Sequence, residues 1–292
     1  MSDLKILKNK SIDFIYKVFA QDCINNDNLK FNSSFFNEIV KNTYNDLIQD
    51  KTTNNNPFFI RVAGQCGSGK TTQLMPSIKN NLKTNNYIHL AVRMFAKLHP
   101  NYDELLEKYG QSLIREKTNG FALMILFAVM ELLILNKYNI FLEVTILEES
   151  FEEYLIKLLK NNNYRILLNI IAIPFEVSNY FTEIRMKNSI IEKNRFMPIE
   201  TLNFFNNALH KSLKYIINEC NIFDNFDRII MWNLFSNEPI INTNIIDNKI
   251  IEIFNKNTQF NNNLNSYIKD EKIKLEEKNK FYSDFFKTFK IN

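Results

Sequence analysis

The 292-residue chain is poor in cysteine, glycine and arginine, and each scarcity argues against a class of protein. Its three cysteines, Cys23, Cys66 and Cys220, lie far apart and form no Cys-x-x-Cys pair. This argues against a disulfide framework or a cysteine metal site and favours a reducing, cytoplasmic setting. Only seven of the 36 basic residues are arginine, and the net charge is +4. The dense, arginine-containing basic patch of a nucleic-acid-binding protein is therefore missing.

Long hydrophobic runs are also scarce. The longest, residues 121–135, is interrupted by Glu131 and falls short of the about 20 residues of a membrane span, so it predicts a buried helix. The segment MSDLKILKNK at the start has no apolar core of the signal-peptide type. Hydrophobic residues nevertheless make up 45% of the chain, enough for a large packed core. We therefore expect a cytoplasmic globular protein that binds neither nucleic acid nor a membrane.

Three of the five glycines lie in one short stretch, VAGQCGSGKTT, at residues 62–72. Residues 64–71 match G-x-x-x-x-G-K-[ST], in which the glycines let backbone N–H groups turn toward phosphate oxygens. Lys70 is expected to reach the β- and γ-phosphates, and the Thr71 hydroxyl to ligate Mg²⁺. The predicted ligand is ATP (or GTP) with Mg²⁺. The predicted binding residues are Gly64, Gln65, Cys66, Gly67, Ser68, Gly69, Lys70, Thr71 and Thr72.

Apolar strands alternate with helical segments along the chain. Helices are predicted on either side of residues 118–120, and His210 is expected on the surface of a late helix. The alternation predicts an α/β fold, a P-loop NTPase or kinase-like three-layer sandwich with a mostly parallel central sheet and helical N- and C-terminal additions. The predicted strands are 58–63, 87–92, 138–144, 164–174 and 226–234. The predicted units are an N-terminal helical segment, 1–55, a core, 56–241, and a C-terminal helical extension, 242–292.

The phosphate-binding loop alone does not distinguish a GTPase, a motor ATPase and a small-molecule kinase. The base-reading N/T-K-x-D motif of a GTPase is missing. The third predicted strand ends in a single carboxylate, Glu143, where motor ATPases usually have Asp or Asp-Glu. This favours a compact kinase. Glu143 lies at the carboxyl end of a central strand, where it could orient the acceptor or help to hold Mg²⁺ through water. The alternative is a structural salt bridge.

These motifs, in this order, resemble the zeta toxins of bacterial toxin–antitoxin systems over roughly residues 30–235. The family loop, A/G-G-Q-P-G-[SA]-G-K-[TS], is matched by residues 63–71 with Cys66 in place of proline. The other matches are Phe95 with His99, Pro100 and Tyr102 (a Phe and a His-Pro-x-[YF] element), Glu143-Val144-Thr145 (Glu-Gly-Thr), Arg185 (a helix arginine) and Arg195 with Pro198 (Arg-x-x-Pro).

The resemblance implies a P-loop kinase fold and ATP-dependent phosphorylation of a UDP-activated amino sugar, typically the 3′-hydroxyl of UDP-N-acetylglucosamine. It also implies a small helical antitoxin that blocks the nucleotide site. The catalytic residues implied are Lys70, Arg185, Arg195 and Glu143, and the substrate contacts implied are Arg93, His99, Glu143 and Thr145. The two later arginines resemble phosphate clamps, for which solvated helix-face cations are the alternative.

The sequence context suggests roles for two of the three histidines, His99 and His89. His99 could touch substrate, or it could cap the helix that begins near Tyr102. His89 lies in the middle of a predicted strand and is expected to be a core or edge residue rather than a ligand.

The sequence departs from the family pattern at the end of the second strand. The family has D-x-D-x-F there, and its second Asp is the general base; here Ala91 and Arg93 occupy the two Asp positions. Arginine, with a pKa above about 12, cannot accept the proton, and loss of a general base costs about 10²- to 10⁴-fold. Three hypotheses follow: a kinase whose acceptor carries extra negative charge, an ATP-binding regulatory protein without transfer, or a kinase that uses another carboxylate, Asp103 or Glu143.

Overall fold

The computed structural model describes residues 33–82, 84–144, 149–188, 199–218, 227–233, 238–243, 248–259, 278 and 280–286. Within them a six-stranded sheet has the order β2-β3-β1-β4-β5-β6. The first five strands pair in parallel, and β6 pairs antiparallel with β5. The mostly parallel α/β sheet predicted from the sequence is confirmed. The strands are β1 (Phe58–Ala63), β2 (Ile88–Ala91), β3 (Ile140–Glu143), β4 (Arg165–Ile171), β5 (Arg228–Trp232) and β6 (Ile241–Thr243).

Helices cover both faces of this sheet. A π-helical turn, Lys70–Leu74, leads into the second of the numbered helices, and two 3₁₀ turns, Val92–Met94 and Ala96–Leu98, follow β2. Residues 280–286 are also helical. The numbered helices are α1 (Ser33–Ile48), α2 (Met75–Asn81), α3 (Tyr102–Leu135), α4 (Glu149–Asn161), α5 (Phe175–Asn188), α6 (Ile199–Asn218) and α7 (Asn248–Thr258).

The two faces of the sheet bury separate apolar layers. One layer joins the sheet to α1, α3, α4, α6 and α7. The other joins it to α2, the start of α5 and residues 280–286. All six residues of β1 are buried, because a central parallel strand is covered on both sides. This is the predicted three-layer arrangement, and it leaves the carboxyl ends of the strands to carry the polar loops.

The longest helix, α3, corrects one prediction. The sequence predicted separate helices on either side of residues 118–120, but the helix continues there, with Thr118 buried and its hydroxyl donating to the Ile114 carbonyl at 2.8 Å. The break lies instead at Gly110, whose φ of 70° is left-handed. The part Lys117–Leu135 is long and apolar enough to cross a membrane, yet 83% of that stretch is buried within the protein. It is a core helix, as its Glu131-interrupted sequence predicted.

The sheet extends beyond the predicted core. Strand β6 crosses the predicted boundary at 241/242, and Ile250 and Phe254 of α7 are buried in the same layer as α6. Residues 280–286 cover β4 and β5, where the Tyr282 hydroxyl accepts from Trp232 Nε1 and donates to the Asn169 side chain. The described parts of the extension therefore complete the core. A strand as short as β6, with one buried residue, carries too little periodicity to be predicted.

Candidate functional site

The candidate site forms where β1, β2 and β3 end side by side. In the register of the sheet, Glu143 of β3 lies opposite Val62 of β1 and Ala91 of β2. The phosphate-binding loop begins just after β1, and Arg93 follows β2 by two residues. Because the carboxyl ends of parallel strands meet at one edge, the loop, Glu143 and Arg93 are brought together where ligands of open α/β sheets bind.

The loop is held in shape by glycines and by helix α5. Gly67 and Gly69 have φ angles of 77° and 84°, which favour glycine. A methyl group at Gly67 would lie 2.1 Å from the Ser178 carbonyl oxygen, so only glycine fits against this helix. The Ser178 hydroxyl also donates to the Cys66 carbonyl, and Gln65 Nε2 donates to the Ile173 carbonyl at 2.7 Å. The loop is thus built against the first turns of α5.

Several polar groups of the loop suit a phosphate. Ser68 is fully buried, and its hydroxyl has no hydrogen-bond partner among the described residues. Lys70 Nζ donates to the carbonyls of Gly64 and Gln65, at 2.7 Å each, which holds the ammonium over the loop. The π-helical turn starts at Lys70, so its N-terminal N–H groups lie beside the same loop. A buried unpaired hydroxyl, an ammonium and a helix start together fit an anionic phosphate chain.

Glu143 is the centre of the polar contacts beside the loop. Its side chain is 5% exposed, and its Oε1 accepts from the Thr71 hydroxyl at 2.5 Å. Its Oε2 lies 2.7 Å from Arg93 Nη2 and 3.6 Å from His89 Nε2. Burial alone would raise the pKa of Glu143, but the contacts with His89, Arg93 and Thr71 outweigh it and lower the pKa well below its usual range. Glu143 is a carboxylate in this site and a poor proton acceptor.

The oxygen atoms at this point also suit Mg²⁺. A hydroxyl from Thr71 and a carboxylate oxygen from Glu143 lie next to each other, and hard oxygen donors are the ligands that Mg²⁺ prefers. Within the described ranges no cluster of three or more His, Cys, Asp or Glu side chains could hold a metal. Mg²⁺ would therefore complete its shell with water and phosphate oxygens, as is usual for this ion.

His99 lies away from these contacts. It is 4% exposed, its Nδ1 accepts from the Asn101 N–H at 3.1 Å, and its ring packs edge-on against Phe121. The histidine thus shapes the turn that leads into α3, which is the capping alternative of the sequence analysis. Asp103, in the first turn of the same helix, is exposed.

The remaining predicted residues are placed only in part. Thr72 is exposed in the π-helical turn. The backbone of Arg185 lies in α5, one turn after Thr182, whose hydroxyl lies close to Gly67. The side chain of Arg185 falls outside the described part of the chain, as do Thr145 and Arg195. The role of Arg185 and Arg195 as phosphate clamps therefore stays a prediction.

Two basic residues near Glu143, His89 and Lys79, were not predicted to lie there. His89 faces Glu143 because residues 89 and 91 of β2 share a side of the sheet with 141 and 143 of β3. Lys79 of α2 lies on that side, with Nζ 5.2 Å from the centre of the Phe141 ring. Burial lowers the pKa of Lys79. The charge of Glu143 acts in the opposite direction, and the charge of Arg93 lowers the pKa further. Strand alternation and pairing to β3 were the signals that could have found His89.

Comparison with known proteins agrees with this architecture. Residues 42–258 match the sequence profile of the zeta toxin family. Toxin PezT of Streptococcus pneumoniae serotype 4 is 30% identical over 182 residues, which cover 61% of this chain and 71% of the relative.

Two solved structures are similar in fold. A chain from a study of the PezAT chromosomal toxin–antitoxin system of the human pathogen Streptococcus pneumoniae has a TM-score of 0.65 and 23% identity, and the match covers 85% of this chain and 98% of that one. The AvrRxo1-ORF1:-ORF2 complex has a TM-score of 0.48 and 12% identity, with 85% of each chain covered, and carries no further weight. The profile match over most of the chain and the identity to PezT show that the chain belongs to the zeta toxin family.

Proposed function

We propose that the protein is an ATP-dependent phosphotransferase that acts as the toxin of a toxin–antitoxin pair. The acceptor proposed is a hydroxyl of a UDP-amino sugar of the UDP-N-acetylglucosamine type. One observation carries the proposal: the glycine-built loop holds Lys70 over its own carbonyls and Thr71 against the buried carboxylate of Glu143. Membership of the zeta toxin family supports the toxin role, and the relative PezT is itself named a toxin.

The chain's own groups divide the work of binding and orienting ATP. The loop N–H groups and the Ser68 hydroxyl would bind phosphate oxygens, and Lys70 would turn from the loop carbonyls toward the β- and γ-phosphates. Thr71 and Glu143 would hold Mg²⁺, which neutralises phosphate charge when bound. Arg185 and Arg195 would stabilise the charge that spreads over the transferring group, on the strength of the resemblance alone. The acceptor oxygen then forms a bond to the γ-phosphorus of ATP. The bond between that phosphorus and the leaving oxygen of ADP breaks at the same time.

Neither Arg93 nor Glu143, the charged residues at the ends of β2 and β3, is suited to receive the acceptor's proton. Arg93 is always protonated, and the pKa of Glu143 is lowered by its contacts, so neither group takes a proton readily. Transfer then relies on positioning and electrostatic stabilisation, with the proton leaving to solvent. We expect a rate about 10²- to 10⁴-fold below that of a site with a general base.

A second candidate function is ATP binding without transfer, in a regulatory or partner-binding role. The Arg93–Glu143 ion pair favours it, because a fixed cation stands beside the sheet edge where the acceptor hydroxyl must lose a proton. A third, a kinase for an acceptor with extra negative charge, is favoured by the 42% exposure of the Arg93 side chain. These two alternative functions use the same nucleotide site as the main proposal. They differ from it in whether the γ-phosphoryl group is transferred and to which acceptor.

Phosphorus NMR separates these functions. Incubation of the full chain at high concentration with ATP, Mg²⁺ and UDP-N-acetylglucosamine should give ADP and a slowly growing phosphomonoester signal. Lys70→Ala should abolish the signal and weaken ATP binding at least about tenfold, because it removes a charged hydrogen-bond donor. Lys97→Ala, an exposed charge on the second 3₁₀ turn, is the matched control and should change neither. Unchanged ATP affinity in Lys70→Ala would remove the phosphate-loop claim itself.

The toxin role and the antitoxin partner need a separate test in cells. We propose a small helical antitoxin that covers the nucleotide site, and a cytoplasmic setting where ATP and UDP-sugars meet. Induced expression of the chain alone should slow growth, and co-expression of the neighbouring gene should relieve it. Growth that is equally slow with Lys70→Ala would show that the effect does not come from the nucleotide site.

A further inference from the structure

Both carboxylate oxygens of Glu143 already have partners within the chain. Oε1 accepts from the Thr71 hydroxyl at 2.5 Å, and Oε2 lies 2.7 Å from Arg93 Nη2. His89 Nε2 approaches the same Oε2 to 3.6 Å. The carboxylate that adjoins the predicted metal ligand Thr71 is thus engaged by a guanidinium from the neighbouring strand end.

Within the described part of the chain, the titratable side chains that interact with this carboxylate are basic residues. The charged and titratable side chains that face it are Arg93 after β2, His89 on β2 and Lys79 on α2, whose charge is coupled to both Glu143 and Arg93. Arg93 keeps its charge at every physiological pH. A divalent cation held by Thr71 and Glu143 would share a partly buried site with this fixed charge, where repulsion is weakly screened.

Arg93 also has donors left for a nucleotide. Its guanidinium has five N–H groups, and its side chain is 42% exposed while Glu143 is buried. A guanidinium that pairs with a carboxylate on one edge can bind a phosphate oxygen with another.

We propose that Arg93 acts as a built-in cation at Glu143, takes over part of the charge neutralisation expected of Mg²⁺, and makes ATP binding only weakly dependent on the metal. The inference rests on the proposed nucleotide site. It concerns the metal requirement of binding and not the chemistry of transfer. Arg93 is a positioning residue in this account, since it acts on the phosphates and on Glu143 together.

Calorimetric titration of ATP into the full chain, in excess Mg²⁺ or in EDTA, measures this dependence. For the wild type, removing Mg²⁺ should change Kd less than about threefold, because the guanidinium remains in place. In Arg93→Gln the same removal should weaken binding at least about tenfold, because the guanidinium that offsets the charge of Glu143 beside the phosphates is then lost. Arg93→Lys keeps the charge and should behave between the two. Lys97→Gln, the loss of an exposed charge four residues away, should behave as the wild type does.

A second readout uses Mn²⁺ in place of Mg²⁺. Electron paramagnetic resonance of free Mn²⁺, titrated with protein and ADP, should show tighter metal binding to Arg93→Gln than to the wild type. Equal Mg²⁺ dependence of ATP binding in wild type and Arg93→Gln would overturn the inference and leave the proposed function standing. Absence of ATP binding under every condition would overturn both.

Discussion

Arg93 and Glu143 form an ion pair across the carboxyl ends of β2 and β3, with Nη2 2.7 Å from Oε2, and the carboxylate extends the contact to Thr71 of the phosphate-binding loop. The sequence identified Arg93 as a cation at the position where the family has a general base. The geometry adds that this cation is paired with the carboxylate nearest the predicted Mg²⁺ ligand. In the proposed mechanism, one residue therefore bears on both the acceptor's proton and the metal ion.

Gly67 is predicted to be irreplaceable for a steric reason. In Gly67→Ala the new methyl group would lie 2.1 Å from the Ser178 carbonyl oxygen at a φ of 77°, so loop or helix must move. We expect loss of ATP binding and a drop of about 1–3 kcal/mol in the free energy of unfolding, measured by calorimetry and urea unfolding.

Gly110→Ala is the matched control for this test. Gly110 has a similar φ of 70°, but a methyl group there meets nothing within 4 Å. Its substitution should cost about 1–3 kcal/mol of backbone strain, because a φ of 70° with a ψ of 175° is a region kept for glycine, and should leave ATP affinity unchanged. If Gly67→Ala and Gly110→Ala changed ATP affinity equally, the contact of Gly67 with α5 would not be what holds the loop.

A buried ion pair joins β1 to α4. Arg61 and Glu152 make two hydrogen bonds, one of 2.7 Å, and both side chains are almost fully buried. Arg61→Met should lower the free energy of unfolding by about 3–5 kcal/mol, because it removes the guanidinium that offsets the buried charge of Glu152. Arg61→Met with Glu152→Leu should recover most of that loss in urea unfolding.

The exposed pair Lys157–Glu153 on the same helix serves as the comparison. Lys157→Ala should change the free energy of unfolding by less than about 0.5 kcal/mol, because the pair is solvated and local.

If the double variant at Arg61 and Glu152 is as unstable as the single one, the buried pair contributes net stability that an apolar replacement cannot supply.

Stability should fall at mildly acidic pH because of His210. Its ring packs against Phe254, and burial lowers its pKa from 6.5, with a hydrogen bond to Asn255 opposing. A lowered folded-state pKa means that the unfolded chain binds the proton more readily, so this contribution is complete above the unfolded pKa and is lost as pH falls below it. Between about pH 7.5 and pH 5, the wild type should lose more unfolding free energy than His210→Gln.

Urea unfolding at several pH values for both chains checks this prediction. The difference between them should be flat above pH 7 and should change only below the unfolded pKa. A difference that does not vary with pH would place His210 on the solvated surface, where the sequence predicted it.

The place of the glycine-rich loop between β1 and a helix, and the parallel sheet, could be predicted because their signals are local. A strand, glycines at fixed spacing and a following helix identify a phosphate-binding loop, and alternating strands and helices identify a parallel sheet. The partners of Glu143 could not be predicted in the same way. Which side chains meet Glu143 depends on the pairing of β2 with β3, and His89 was assigned to the core or edge on its position in the strand alone.

Helix boundaries and the last strand show the same limit. The sequence predicted a break at residues 118–120, but Thr118 is buried in the core and the helix continues through it. The helix breaks at Gly110, where the backbone is left-handed. Strand β6 has only the pairing with β5 to define it. In each case tertiary contacts override local propensity.

The central claim is that the site is a phosphotransferase site in which Arg93 limits transfer. Phosphorus NMR of wild type and Arg93→Asp, each with ATP, Mg²⁺ and UDP-N-acetylglucosamine, tests it most directly. We predict a slow phosphomonoester signal from the wild type and one at least about tenfold faster from Arg93→Asp, because the substitution supplies a carboxylate where a proton acceptor is missing. ATP binding by both chains with no phosphomonoester from either would contradict the claim and leave a nucleotide-binding protein without transfer.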